Sequence, residues 1–209
     1  MNIETINDYV TGLYANRSDI TSIKNNSEIK IKRLIHDIQD ETARLISLML
    51  HLTRARRVLE LGMSVGYSTT TMAKVVKEYS GKIITIEIDE RFAFHARRNF
   101  KRAGVTDFIE INIGDAKELV PGLQGEFDVI FQDTDKHLYP KLFKDCIRLL
   151  RRGGLLIADD TLFPVINIDP ELQPLIQPIE EFNQMVANCP ELVSTILPVG
   201  DGVTIAVKR

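Results

Sequence analysis

From residue 56 onward the chain alternates short apolar runs with longer amphipathic stretches, and that rhythm carries most of the structural information. V-L-E-L, K-I-I-T-I-E-I, F-I-E-I-N-I, F-D-V-I-F-Q-D and G-L-L-I-A-D-D each read as strands, whereas 68–79, 90–103, 138–151 and 176–188 repeat their apolar positions at helical spacing. The alternation predicts βαβ units and a mostly parallel, doubly wound sheet. The rhythm breaks near the end, where V-S-T-I-L-P-V and V-T-I-A-V-K flank G-D-G and predict an antiparallel hairpin, giving seven strands in all. Ahead of the sheet, residues 3–15 and 27–50 show helical periodicity, with Asp40 expected as an N-cap opening D-E-T-A-R-L-I-S-L-M-L-H-L. The stretch 161–175, rich in Pro and Asp, follows a strand end and is a candidate lid.

Length and charge narrow the class. The 209 residues, 44% of them apolar, suit one α/β domain: a helical segment over 1–55 and a core over 56–209. A net charge of -3 argues against a surface built for long duplex nucleic acid and favours small-molecule chemistry. Cys146 and Cys189 lie far apart with no CxxC or Cys/His spacing, so neither a disulfide framework nor a zinc site is expected. With no basic-then-apolar leader and no run long enough to span a bilayer, the expected setting is cytoplasmic, without a membrane partner.

In open α/β sheets, ligands gather at the carboxyl ends of the strands, and here those ends are acidic. The first strand leads into E-L-G-M-S-V-G-Y-S, where Gly62 and Gly66 allow the backbone to approach a ligand and Ser68, with the N–H groups of the next helix, can hold an anionic group. The G-x-x-x-G spacing is neither the dinucleotide fingerprint nor a P-loop, and close helix–strand packing is the competing explanation. Glu87 ends the second strand about 20 residues beyond the turn, where an acidic side chain can accept both ribose hydroxyls. G-D-A (Gly114 to Ala116) follows the third strand, and Asp115 can accept from an adenine amino group. The fourth and fifth strand ends carry Asp133, Asp135 and Lys136, then Asp159 and Asp160. If those strands are neighbours, four carboxylates converge, an arrangement that calls for a hard cation, Mg²⁺ first, with Ca²⁺ or Mn²⁺ compatible. Solvated loop acids and helix caps are the simpler alternative.

These residues together resemble the cation-dependent class I O-methyltransferases, the group of the caffeoyl-CoA and catechol enzymes. The resemblance runs through D-E-T-A-R-L, L-E-L-G-M-S-V-G-Y-S, I-E-I-D, G-D-A, D-T-D-K-x-x-Y, A-D-D, E-E-F-N and the closing L-P-V-G-D-G-V-T-I-A-V-K-R. It implies a Rossmann-like fold and S-adenosylmethionine as cofactor. Glu60, Gly62, Met63 and Ser68 would meet its amino-acid part, Asp135 its amine, Glu87 its ribose, and Asp115 and Ala116 its adenine. It also implies that Asp133, Asp159 and Asp160 bind the cation, that Lys136 is the general base, and that the protein is a homodimer.

A dication beside a hydroxyl favours the oxyanion that attacks a sulfonium methyl, and it also depresses a neighbouring lysine toward a usable pKa. The expected acceptor is a small hydroxylated molecule, catechol-like where two oxygens chelate the metal. A modified tRNA uridine is the alternative, for which Lys24, Lys30, Lys32 and Arg33 offer a basic cluster, and a non-catalytic cofactor-binding protein is a third reading. The chain departs from the family pattern in three places. Asp160 stands where Asn is usual, T-L-F-P-V follows without the usual Gly, and Ala43 and Arg44 replace Gly and Gln, changes expected to alter the cofactor or acceptor gate.

Overall fold

A computed structural model describes residues 9–10, 12–14 and 38–209. Within them the backbone forms one seven-stranded sheet in the order β3-β2-β1-β4-β5-β7-β6. The strands are β1 (Arg57–Leu61), β2 (Lys82–Glu87), β3 (Ile109–Ile113), β4 (Phe127–Gln132), β5 (Leu150–Ala158), β6 (Leu192–Leu197) and β7 (Val203–Lys208). β1 to β5 pair in parallel, and β7 enters antiparallel between β5 and β6. The doubly wound sheet and its closing hairpin are therefore as the pattern predicts.

Among residues 38–209 six α-helices flank it: α1 (Asp40–Thr53), α2 (Tyr67–Glu78), α3 (Glu90–Ala103), α4 (Ala116–Leu119), α5 (Tyr139–Leu149) and α6 (Ile176–Ala187). Strand side chains alternate between two cores, as a period of two requires. Val58, Val129, Phe131 and Ile157 pack with Ile46, Leu50, Met72, Val76 and Phe100 beneath α1 to α3. Leu59, Leu61, Ile130 and Leu156 pack with Tyr139, Phe143 and Phe182 beneath α5 and α6.

Several boundaries differ from expectation for local reasons. The cap of α1 is Gln39 in extended geometry, so Asp40 is the first helical residue, its charge at the positive end of the helix. Helix α5 stops at Leu149, and Leu150 already belongs to β5, which is longer than its apolar half suggests because L-R-R-G-G pairs with β4 through a register shift. The stretch 161–175 is not a bare loop: Thr161 and Phe163 are buried and Pro170–Leu175 is a 3₁₀ turn. Tyr9, Val10 and residues 12–14 are helical, while the rest of the expected 3–15 helix and the 27–37 portion of the second lie outside the described residues. Among the described residues no helix is long and apolar enough to cross a membrane.

Candidate functional site

Strand order places β1 between β2 and β4, so chain connections leave in opposite directions and a cleft opens at their carboxyl ends. A cavity of about 610 Å³ occupies that position, within the range of small-molecule sites. One side is lined by Gly62, Met63, Ser64, Ser68, Ile86, Glu87, Ile88, Phe92 and the turn 114–117. The other is lined by Asp133 to Leu138, Lys141, Asp160, Phe163, Leu172 and Leu175, with Ile38 also on the wall.

The glycine turn is shaped by tight approach. Gly62 has φ of +91°, and a Cβ there would fall on the Asp133 carbonyl, so the β1 and β4 ends touch only because this residue has no side chain. Gly66, at φ +85°, caps α2 against the Phe100 ring and Ala96 and does not line the cleft. Glu87 holds the turn from the next strand. Its Oε2 accepts from the N–H groups of Met63 (3.2 Å) and Ser64 (2.8 Å), and its Oε1 from that of Asp89 (2.9 Å). Oε2 is thereby saturated, while Oε1 keeps a lone pair for a hydroxyl in the cleft.

Glu60 departs from expectation. It shares the parity of Val58 and so points into the α2-side core, fully enclosed and outside the cleft lining. There it accepts from Ser68 Oγ (2.6 Å), Thr69 Oγ1 (2.5 Å) and Thr85 Oγ1 (2.6 Å). Burial pushes its carboxyl up to about 7 against those three hydrogen bonds. It therefore orients Ser68, which does face the cleft. Asp115 caps α4 by accepting from the Lys117 N–H (3.0 Å), which holds its carboxyl below the usual range, and Ala116 lines the cleft beside it. Asp135 caps the 3₁₀ turn at 136–138 through the His137 N–H (2.9 Å).

At the acidic end Lys136 is buried rather than on the surface. Its Nζ lies 2.8 Å from Asp133 Oδ1, 2.8 Å from Asp160 Oδ2 and 2.9 Å from Tyr139 Oη. Burial alone would lower its pKa, but the two carboxylates outweigh it and hold the ammonium well above the ordinary range. The chain's own groups thus do not give the depressed lysine expected of a general base. The Tyr139 hydroxyl donates toward the carbonyls of Gln132 (2.9 Å) and Asp159 (3.1 Å), tying Lys136 to both strand ends.

A divalent cation would need oxygen donors with spare capacity. Asp133 and Asp160 face the cleft, while Asp159 sits behind it, with Oδ1 buried and unpartnered. Burial, then the charges of Asp133 and Asp160, push the Asp159 carboxyl well up. Among the described residues no three His, Cys, Asp or Glu side chains are already gathered around one point. The donor chemistry nevertheless fits a hard dication: three adjacent carboxylates, one with an orphaned oxygen, balanced here by the Lys136 ammonium.

Two predicted gate residues lie elsewhere. Ala43 is in the core, and Arg44 pairs with Glu41 (3.0 Å) and covers the Tyr14 ring. Lys24, Lys30, Lys32 and Arg33 fall outside the described residues. Ser64, Ile88, Phe92, Phe163 and Leu172 line the cleft although none was assigned a role from sequence, and Asp201, likewise unassigned, has its charge near Asp160. For Asp201 the G-D-G turn was the available signal.

Comparison with known proteins adds a family. The model of a family described as O-methyltransferase matches residues 18–209. The catechol O-methyltransferase of Niastella koreensis is 31% identical over 216 aligned residues, covering 99% of this chain and 97% of the relative. Caffeoyl-CoA O-methyltransferase 1 of Eucalyptus globulus is 30% identical, over 79% of this chain and 72% of its own length. Among solved structures, the Bacillus cereus O-methyltransferase in complex with SAH superposes with a TM-score of 0.83 at 26% identity, over 98% of this chain and 97% of that one.

Proposed function

The chain belongs to the O-methyltransferase family, and from that premise we propose that it moves the methyl group of S-adenosylmethionine to a hydroxyl of a small, catechol-like acceptor at a cation-assisted site. The observation that carries this reading is the single cleft, which joins the Ser68, Glu87 and Asp115 side to the Asp133, Lys136 and Asp160 side. A transfer reaction needs both reactants in one enclosure.

On the cofactor side, Glu87 accepts a ribose hydroxyl with the Oε1 lone pair that the backbone amides leave over. Asp115 and Ala116 border the adenine, with Ile88 and Phe92 supplying apolar wall. Gly62, Met63 and Ser68 meet the methionine portion, with Asp135 facing its amine. The B. cereus relative, whose structure carries SAH, supports the cofactor assignment.

On the acceptor side, Phe163, Leu172 and Leu175 form an apolar cover that shields a flat ring from water. The acceptor hydroxyl gives up its proton to water before its oxygen takes the sulfonium methyl and the thioether leaves, and Lys136 Nζ, with Asp133 and Asp160 as its counter-charges, donates toward the resulting oxyanion. A divalent cation, taken by Asp133, Asp159 and Asp160, would supply Lewis acidity that favours the acceptor oxyanion. Holding donor and acceptor in line contributes several kcal/mol toward the barrier, on the order of the effect of intramolecularity.

The test uses labelled S-adenosylmethionine with catechol as probe acceptor, with and without chelator. Methyl transfer should occur, and it should be lost in EDTA and in Asp133→Asn, while calorimetry still registers cofactor binding. Full turnover in chelator would remove the cation from the reading; cofactor binding with no transfer to catechols or phenols would remove the acceptor class.

A further inference from the structure

The G-D-G turn between β6 and β7 remains unexplained by the cleft lining, since none of Gly200, Asp201 and Gly202 contributes to the wall. Its backbone is nonetheless committed to the segment that follows β5. The Thr161 N–H donates to the Gly202 carbonyl (3.0 Å), and the Leu162 N–H donates to the Asp201 carbonyl (2.9 Å). Gly202, at φ +98°, lies so close to Leu162 that a Cβ would overlap its side chain and its amide nitrogen. Thr161 is fully buried and pinned from its other side by Asn183 Nδ2 on its carbonyl (2.7 Å).

Between β5 and this pinned segment stands Asp160, with φ of +59°. An aspartate tolerates the left-handed region better than most residues, but such a conformation still needs surroundings that over-determine it. Behind it the Asp159 N–H is bonded to the Gln132 carbonyl (3.2 Å), and ahead of it the turn fixes two successive amides. The chain must reverse at Asp160, and that reversal places its carboxylate on Lys136. The Asp201 carboxyl adds an electrostatic link: burial and the Asp160 charge push its pKa up, and it accepts from Gln39 at the start of α1.

We infer that the Gly200–Gly202 turn is a positioning element of the acceptor end, holding Asp160 left-handed so that its carboxylate and that of Asp133 grip Lys136 from two sides. This rests on the proposed acceptor site for its catalytic meaning, but its geometry is testable without substrate. The turn acts through Asp160, and touches neither reactant itself.

Lysine footprinting reads the grip directly. Brief acetic anhydride labelling in EDTA, without cofactor, is followed by mass spectrometry of Lys136 and of Lys208, whose Nζ is held by the Ile147 and Leu150 carbonyls on β7's far end. Gly202→Ala should raise Lys136 labelling at least about ten-fold while Lys208 stays within about two-fold. Gly200→Ala, at φ +56° with side-chain atoms of Thr42 and Gln39 nearest the added methyl at 3.1 Å or more, is the milder variant and should raise it several-fold even if Gly202→Ala fails to fold. Cofactor affinity by calorimetry should hold within about three-fold, because its groups sit at the β1 to β3 ends and at Asp135 after β4, none of which the turn's backbone bonds reach. Unchanged Lys136 labelling in a folded turn variant, or Lys136 and Lys208 rising together, overturns the inference. Failure of the wild type to methylate catechol would instead count against the proposed function, since the labelling involves no turnover.

Discussion

Replacing Glu60 by glutamine should remove one pH-dependent component of stability and leave the fold intact. The carboxyl is fully enclosed, and its pKa is about 7 against an ordinary 4.5. Between those values the native state binds a proton that the unfolded chain has released, so the slope of unfolding free energy with pH is negative. The contribution is complete below 4.5 and is lost as pH rises through 7. The full span is ~3.4 kcal/mol, and between about pH 5.5 and 8.5 it amounts to ~2 kcal/mol. The glutamine amide is nearly isosteric with the carboxyl and does not titrate, and the hydroxyls of Ser68, Thr69 and Thr85 can turn to accept from its nitrogen or donate to its oxygen. Urea unfolding of wild type and Glu60→Gln across that range, without cofactor and in chelator, gives the difference. Other raised carboxyls, such as Asp159 and Asp201, are present in both proteins and cancel. The wild type should lose ~2 kcal/mol relative to the variant from about pH 5.5 to 8.5. A difference that stays flat would show that the triple hydroxyl cradle keeps the carboxylate ionised, and the account of Glu60 as a burial-dominated acid would be wrong.

Gly62→Ala sets a methyl group against the Asp133 carbonyl at a positive φ, so it should cost at least ~2 kcal/mol, seen as a fall of several degrees in Tm, and weaken cofactor binding as the turn shifts. Tyr139→Phe removes the buried hydroxyl donor of the Asp159 carbonyl, and one of two donors to the Gln132 carbonyl, and should cost ~1–3 kcal/mol in urea unfolding, with a rise in acetylation of Lys136. At the opposite end of the sheet, Asp128 accepts from the Arg56 and Arg57 N–H groups (2.8 Å each) and from Arg151 Nε (2.6 Å). Asp128→Ala should therefore lower stability by ~1–3 kcal/mol yet leave kcat with saturating substrates unchanged; a drop in kcat at unchanged Tm would contradict the assignment.

The sheet was legible because its period switches cleanly from two to 3.6 after residue 56, and no competing pattern interrupts it. The start of β5 was not, because L-R-R-G-G has the composition of a turn and pairs only through a bulge. For the site, strand ends were the legible signal: Glu87, Asp115, Asp133, Asp135, Lys136 and Asp160 all line one cleft. Glu60 escaped that rule because parity, not proximity to the strand end, decides which layer a side chain enters. Asp159 and Asp160 are adjacent in sequence yet differ in exposure to the cleft, since the chain reverses at the second. Phe163, Leu172 and Leu175 arrive from a segment whose path depends on tertiary packing, and nothing local in T-L-F-P-V or the Pro-rich stretch specifies it.

The placement of β7 between β5 and β6 has a consequence for synthesis. β6 leaves the ribosome before the strand that joins it to the sheet, and until β7 follows, β5 presents an open edge and β6 has no neighbour. A nascent chain at that stage exposes one open sheet edge and one unpaired strand, a condition prone to pairing with another chain. The same delay governs competence. Most of the cofactor side can assemble on the first three strands, whereas Thr161 and Leu162, which follow Asp160, receive their backbone partners only when the final hairpin closes, so the methyl donor end takes shape before the acceptor end is held.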